Sequence, residues 1–236
     1  MEHIYWRHPT VPGIKVEEVS GEHSAGAAKV WLEMARQVYC ENGREAYREI
    51  GHFKSGAPFL YGETSRISIT HCDGLLAVAT LPPTPEVDLD RFTERAALGI
   101  DAERADREQV LKIRERFLSD PELEMIPADD LLLNVQAWTV KEAAYKAALA
   151  TGVDFRNEIC IKCLPKLAPP TPVYDHKEFG VPENAKELPG EFFGEVTVES
   201  DGNVEAFRIY SYMSDECVVS LCYAPRCAKF GKSALA

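Results

Sequence analysis

Two Asp-Gly pairs constrain the fold of this chain most. Asp73-Gly74 lies between the β-prone segments 66–72 and 75–79, and Asp201-Gly202 lies between two further β-prone segments near the C-terminus. An Asp-Gly pair in this setting is the strongest short-range signal for a hairpin, because a type I′ turn requires positive φ. The sequence therefore predicts one antiparallel hairpin in each half of the chain.

Periodicity predicts the other elements. Strands are predicted at 4–6, 14–19, 97–102, 159–163, 192–199, 204–212 and 217–223, and helices at 25–39, 107–118 and 131–150. Gly152 is predicted to cap the last helix. The proline-rich stretch 165–189 is predicted to be an irregular surface excursion. Each half then holds a helix beside antiparallel strands, which is an α+β fold.

Composition and charge disfavour several classes of function. The net charge is −12, which disfavours nucleic-acid binding because phosphate contacts need a basic face. The chain has no apolar run of about 18 residues and no apolar leader at its start, so no membrane span or secretion signal is expected. Seven cysteines are scattered singly, which favours free thiols in a reducing cytoplasm.

The densest basic stretch is 104–116, which contains three arginines and one lysine besides Arg104. Acidic residues are mixed into the same stretch. The charge pattern by itself favours a solvated helix face with salt-bridging pairs.

The first segment whose residues are suited to metal binding or catalysis is 99–103, which contains Asp101 and Glu103. Residues two apart on a strand point to the same face, so the two carboxylates repel each other unless a cation lies between them. Mg²⁺ suits such a pair because it binds carboxylates together with substrate phosphates. The alternative is a strand end with two solvated acids.

The second segment is 138–146, with the sequence WTVKEAAYK. Trp138, Glu142 and Lys146 are four residues apart and form one stripe of a helix. The alternative is a Glu-Lys pair on a solvated face, but a tryptophan on the same stripe indicates partial burial.

A third short segment, Thr70-His71, ends a predicted strand beside the hairpin turn. A histidine there is able to donate a charge-assisted hydrogen bond to a phosphate. The alternative is a capping or merely exposed histidine.

The three segments occur in the order 67–71, 99–103 and 138–146, and together they resemble the successive motifs of the two-lobed, surfactin-type 4′-phosphopantetheinyl transferases. The segment 117–119 with Glu122 resembles the region that this family places between its last two motifs. The resemblance extends from about residue 56 to residue 152.

The resemblance implies transfer of the 4′-phosphopantetheine arm of coenzyme A to a serine of an apo acyl or peptidyl carrier protein, with release of adenosine 3′,5′-bisphosphate. It also implies two similar α+β lobes in a pseudo-twofold arrangement, with the active site in the cleft between them. We expect an N-terminal lobe at 1–97 with coenzyme A contacts and a C-terminal lobe at 98–236 with the metal and catalytic motifs. A monomer suffices for such an enzyme.

The same resemblance assigns roles to individual residues. Asp101, Glu103 and Glu142 are expected to ligate Mg²⁺ or Mn²⁺, and Glu142 is also expected to be the base that acts on the carrier serine. Lys146 is expected to bind the pyrophosphate and assist the leaving phosphate.

The resemblance also assigns residues to the coenzyme A site and to the surface that meets the carrier protein. Thr70 and His71 are expected to contact coenzyme A phosphates, with His71 also counted among the catalytic groups, and Pro58 is expected to lie at the coenzyme A site. The family places its carrier protein near the basic helix that follows Glu103. This gives a second role to three basic side chains, Arg107, Lys112 and Arg114.

One departure from the family pattern bears on function. Ala57, in Gly56-Ala57-Pro58, stands where the family commonly has a basic residue, and Lys54 is the nearest substitute. Two other readings therefore stay open. One is a non-catalytic protein of the same fold that binds coenzyme A or a carrier domain, and the other is a different metal-dependent phosphotransfer or phosphodiester-hydrolysing enzyme.

Overall fold

The computed structural model describes residues 2–7, 14–20, 50–53, 56–60, 66–81, 97–168 and 190–224. The strands are β1 (Glu2–Arg7), β2 (Lys15–Ser20), β3 (Ile50–His52), β4 (Pro58–Leu60), β5 (Arg66–Cys72), β6 (Leu75–Leu81), β7 (Ala97–Arg104), β8 (Ile159–Cys163), β9 (Phe193–Ser200), β10 (Asn203–Ser214) and β11 (Cys217–Ala224). The helices are α1 (Gln109–Phe117), α2 (Asp120–Met125) and α3 (Leu131–Ala148). The predicted helix at 25–39, most of the proline-rich stretch and Lys54 lie outside the described residues.

The strands form two larger antiparallel sheets and one small one. The first sheet has the order β1-β2-β6-β5, and the second has the order β7-β11-β10-β9-β8. Strands β3 and β4 pair with each other and were not predicted. The antiparallel sheets and their helices confirm the predicted α+β composition, while the pseudo-twofold arrangement stays a prediction.

Both predicted hairpins are present. Cys72 pairs with Leu75 around Asp73-Gly74, and Ser200 pairs with Asn203 around Asp201-Gly202. Asp201 and Gly202 have φ of 53° and 72°, as a type I′ turn requires. In the first hairpin only the glycine has positive φ, so that turn is of a different type.

The second sheet lies between helix α3 and the first sheet. On one face, Ala97, Val218 and Cys222 join the core under the helices. On the other face, Leu98 and Ile100 pack in the same core as side chains of β2 and β6. Alternate residues of β7 thus face opposite layers, which directs Asp101 and Glu103 toward the helix side.

Gly99 lets helix α3 pack directly on β7. A Cβ placed on Gly99 would lie 2.0 Å from the Ala143 carbonyl oxygen and 2.6 Å from the Ala147 nitrogen. Because these are backbone atoms, they cannot yield by a side-chain rotation. The absent side chain therefore brings the helix that bears Glu142 and Lys146 against the strand that bears Asp101.

Two details of the helices differ from prediction. Helix α3 ends at Ala148, and Leu149 supplies the left-handed cap with φ of 54°, so the prediction of Gly152 as the cap was wrong. Helix α2 was missed, although Ser119 and Glu122 form a capping box at its start.

Across the described part of the chain, every helix is too short or too polar to cross a membrane.

Candidate active site

Strands β5 and β7, from different sheets, are held together by two hydroxyl groups. Ser68 Oγ accepts a hydrogen bond from the Ile100 backbone N–H at 3.0 Å. Thr70 Oγ1 accepts one from the Ala102 N–H at 3.0 Å and donates its own proton to Asp101 Oδ1 at 3.0 Å. The Thr70 side chain is buried, so its hydroxyl fixes one oxygen of Asp101 from the neighbouring sheet.

Lys146 approaches the same carboxylate from helix α3. Its Nζ donates to Asp101 Oδ1 at 2.7 Å and to the Ile100 carbonyl oxygen at 3.1 Å. The Lys146 side chain is 29% exposed, so its ammonium group lies at the boundary between protein and solvent. Three segments distant in sequence thus meet at Asp101.

Glu103 lies one strand position further along the same face of β7. Its Oε1 accepts a hydrogen bond from the Arg104 backbone N–H at 3.0 Å, and its Oε2 forms an ion pair with Arg107. The residue is 8% exposed, while Arg107 is open to solvent. Both acids of the first motif therefore have a cationic partner.

Glu142 contrasts with those two acids. It is half-buried, and among the described residues no hydrogen bond or ion pair is formed by its carboxylate. Burial raises the pKa of Glu142 to about 7, and the negative charge of Asp101 adds to the rise, while Lys146 and Arg107 oppose it. At neutral pH this carboxyl group is therefore balanced between its protonated and charged forms.

The donor chemistry fits a divalent cation. The negative charges of Asp101 and Glu142 repel each other, and a cation between them relieves that repulsion. Within the described ranges, Asp101 Oδ2 accepts no hydrogen bond, and no three His, Cys, Asp or Glu side chains are gathered closely enough to hold a metal ion as they stand. The fit thus rests on oxygen donors and on charge, and the ligand set remains a prediction.

The residues predicted at the coenzyme A site are only partly located. His71 is exposed at the end of β5, next to Thr70. Pro58 is half-buried on β4 and pairs with His52 of β3. Lys54 lies outside the described residues.

The three basic residues predicted to meet a carrier protein differ in environment. Lys112 and Arg107 are exposed. Arg114 is half-buried, with Nε donating to Asn134 Oδ1 at 3.0 Å and one terminal nitrogen donating to the Ile126 carbonyl at 2.5 Å. Arg114 therefore fastens helix α1 to its neighbours, which leaves Arg107 and Lys112 as the accessible cations of this set.

Sequence reasoning missed the buried ion pair of Lys141 and Glu122. Lys141 Nζ donates to Glu122 Oε2 at 2.6 Å and to three backbone carbonyl groups, with its side chain fully buried. Burial lowers the pKa of Lys141, and Glu122 opposes that shift. The pair ties α3 to α2 and β8, and so fixes the part of the helix that carries Glu142.

A comparison with known families matches part of the chain. Residues 97–179 match a family model described as the 4′-phosphopantetheinyl transferase superfamily. The matched segment includes Asp101, Glu103, Glu142 and Lys146, so the superfamily resemblance is confirmed there and indicates a transferase of this kind. No curated protein matches the chain.

Proposed function

We propose that this chain, whose segment 97–179 matches the 4′-phosphopantetheinyl transferase superfamily, transfers 4′-phosphopantetheine from coenzyme A to a serine of an apo acyl or peptidyl carrier protein. The observation that carries the proposal is the meeting of Thr70, Asp101 and Lys146 beside a half-buried Glu142. In the reaction, the serine oxygen bonds to the phosphorus of the pantetheine arm. The bond from that phosphorus to the other phosphate breaks, and adenosine 3′,5′-bisphosphate leaves.

The carboxylates supply the sites for a divalent cation. Asp101, Glu103 and Glu142 would hold Mg²⁺ or Mn²⁺, because oxygen donors are the usual ligands of these ions. When bound, the cation would neutralise charge on the two phosphates of coenzyme A. For Glu103 to serve as a ligand, Arg107 must give up or share its ion pair.

Lys146 is proposed to act on the leaving group. Its ammonium group is partly exposed beside Asp101, so a phosphate at the surface is able to take the place of a carbonyl among its acceptors. Phosphoryl transfer depends mainly on positioning and charge stabilisation, and a lysine on the leaving side meets the second demand.

Glu142 is proposed to accept the serine proton. A pKa of about 7 places this group near the value that suits a general base at neutral pH. Cation binding favours the charged form and lowers the pKa, so ligation and proton transfer at Glu142 compete. If the carboxylate remains bound to the cation, a water molecule held by Glu142 accepts the serine proton in its place.

The family resemblance implies that Thr70 contacts a coenzyme A phosphate directly. We propose that Thr70 instead positions Asp101. Its only proton goes to Asp101, so it has none left to donate to coenzyme A. His71, which is exposed one residue later, keeps its proposed contact with a coenzyme A phosphate. Pro58 and Lys54 keep their proposed places at the coenzyme A site.

The proposed enzyme has two lobes, 1–97 and 98–236, related by a pseudo-twofold axis with the site between them. Contacts between β5 and β7 support a site at the junction of the two halves. A cytoplasmic monomer is the simplest form of such an enzyme. The carrier protein is proposed to meet Arg107 and Lys112, the two exposed basic residues of this set.

The test is labelling of purified apo carrier proteins from fatty acid, polyketide and peptide synthesis with a fluorescent coenzyme A. We expect covalent labelling that requires Mg²⁺ or Mn²⁺ and that maps to the carrier serine. The Glu142→Gln variant should lose labelling while its circular dichroism spectrum is unchanged. Undiminished labelling by this variant would remove Glu142 from the mechanism.

A non-catalytic coenzyme A-binding protein is the second candidate. It is favoured by Ala57, which stands where the family commonly has a basic residue. Calorimetry that detects coenzyme A binding, together with absence of transfer to every carrier, would select this candidate. Release of a product other than adenosine 3′,5′-bisphosphate would instead select a different phosphotransfer enzyme.

A further inference from the structure

Two cysteines from different sheets face each other near the candidate site. Cys72 is the last residue of β5, and Cys217 is the first residue of β11. Their sulfur atoms are 3.3 Å apart although 145 residues separate them in sequence. This contact belongs to no step of the proposed transfer reaction.

The two sulfur atoms are close enough to bond after a small movement. A disulfide has a sulfur–sulfur length of about 2.05 Å, so closure requires an approach of roughly 1.3 Å. Rotation of the two side chains supplies such a shift more readily than movement of two packed sheets.

The surroundings favour reaction at this pair. Cys72 is half-buried, so solvent reaches the pair through this residue. Cys217 is only 2% exposed. The hydrogen bond from the Cys72 thiol lowers the pKa of Cys217; burial opposes that shift, and the charge of Arg104 adds to it. The same hydrogen bond and burial raise the pKa of Cys72. As a thiol, Cys217 also lies 3.8 Å from the Asp73 carbonyl oxygen.

The other described cysteines have a different environment. Cys160 and Cys163 both lie on β8, and their thiols donate to the backbone carbonyls of Asn157 and Leu164. Cys222 is fully buried against the Val140 carbonyl. Within the described ranges, a sulfur–sulfur contact occurs only between Cys72 and Cys217.

We propose that Cys72 and Cys217 are a peroxide-sensitive dithiol that closes to a disulfide and joins the two sheets covalently. This proposal does not depend on the proposed transferase function. Disulfides of reducing compartments are usually transient and redox-sensing, which agrees with a pair that is reduced at rest.

The chemistry balances with hydrogen peroxide as the oxidant. The Cys217 thiolate attacks one peroxide oxygen, the oxygen–oxygen bond breaks, and the hydroxide released takes up a proton to become water. The sulfenic acid on Cys217 is then attacked by the Cys72 sulfur, which loses its proton. The sulfur–oxygen bond breaks and a second water leaves, so two thiols and one peroxide give one disulfide and two waters.

The experiment uses the full chain, reduced and then treated with hydrogen peroxide. After the peroxide is removed, free thiols are alkylated and the digest is analysed by mass spectrometry. We expect a cross-linked peptide that contains Cys72 and Cys217 and is two hydrogens lighter than the separate peptides. The link should be absent from Cys72→Ser and present in the matched control Cys163→Ser.

Thermal unfolding provides a second readout. Because the link closes a long loop, the oxidised protein should melt at least about 5 °C above the reduced one, and dithiothreitol should reverse the shift. Cys72→Ser should show no shift. Recovery of both cysteines as alkylated thiols, a link to another cysteine, sulfinic acid without a link, or a link without a higher melting temperature would each overturn the proposal.

Discussion

Lys146 and Asp101, which are 45 residues apart in sequence, form an ion pair in which Nζ and Oδ1 are separated by 2.7 Å. The same Oδ1 accepts a hydrogen bond from Thr70 of the other sheet. Asp101 is therefore the residue at which helix α3, the second sheet and the first sheet come together. Its remaining oxygen is the one available to a cation.

Replacement of Lys146 by methionine should lower the rate of carrier labelling by about 100-fold or more, because a single charge-stabilising group contributes on that scale to transfer reactions. Lys146→Arg should retain part of the rate. The measurement is single-turnover labelling with fluorescent coenzyme A. Lys162→Met, at an exposed position of β8, is the matched control and should label at the normal rate. Equal rates for both methionine variants would contradict the role of Lys146.

Removal of the Thr70 hydroxyl should weaken cation binding. In Thr70→Val, Asp101 loses its hydrogen bond from β5, and hydrogen bonds to charged groups contribute about 1.5–3 kcal/mol. We expect half-maximal labelling to require at least about tenfold more Mg²⁺. Thr70→Ser keeps the hydroxyl and should restore the normal requirement. A Thr70→Val protein that is less stable but has an unchanged Mg²⁺ requirement would limit Thr70 to a structural role.

Replacement of Glu142 by glutamine should stabilise the metal-free protein at high pH. The folded-state pKa is about 7 against an ordinary value of 4.5, so this group's favourable contribution is complete below about pH 4.5 and is lost as pH rises through 7. The variant should gain roughly 1–3 kcal/mol over the native protein near pH 8 and nothing near pH 4.

Urea unfolding in the presence of a chelator measures the effect of this glutamine substitution. Glu115→Gln, on the exposed face of α1, is the matched control and should show no such pH-dependent gain. A stability difference between Glu142→Gln and the native chain that is independent of pH would disagree with the raised pKa of Glu142.

Gly99→Ala should destabilise the protein by about 3 kcal/mol or more, because the new Cβ meets backbone atoms of α3 that cannot move without separating helix and strand. Gly190→Ala is the control, since its Cβ would meet nothing within 4 Å, and it should change stability by less than about 0.5 kcal/mol. Chemical unfolding compares the two. A small effect at Gly99 would mean that α3 does not pack as closely on β7 as described.

Lys141→Met should destabilise the protein by about 3–5 kcal/mol, because it leaves Glu122 buried without its cation. Lys112→Met, at an exposed position of α1, should have little effect on unfolding. If the two methionine variants unfold at the same urea concentration, Lys141 contributes nothing beyond its apolar stem.

Local signals in the sequence predicted most of the described elements. The Asp-Gly pairs predicted both hairpins, and the two-residue period placed Asp101 and Glu103 on one face of a strand, as the structure has them. Helix α2 had a readable signal in Ser119 and Glu122, three residues apart with Pro121 between them, but no helix was predicted there. The left-handed cap at Leu149 had none, because glycine, not leucine, usually occupies a position with positive φ.

The candidate site was harder to predict because its contacts are long-range. No local pattern pairs Lys141 with Glu122 or Thr70 with Asp101, since each pair joins different elements. Nothing in the sequence around Gly99 indicates that the backbone of α3 lies against it. Sequence spacing indicates which side chains share a face, whereas the packing of layers decides which faces meet.

We propose that one divalent ion is shared by carboxylates of β7 and α3. A crystal structure of the protein with coenzyme A and Mn²⁺, with anomalous scattering used to locate the manganese, tests that claim most directly. We predict one manganese within about 2.5 Å of oxygens of Asp101, Glu103 and Glu142 and beside the pyrophosphate. Bound coenzyme A with no manganese at Asp101 and Glu142, or manganese bound only elsewhere, would contradict the account.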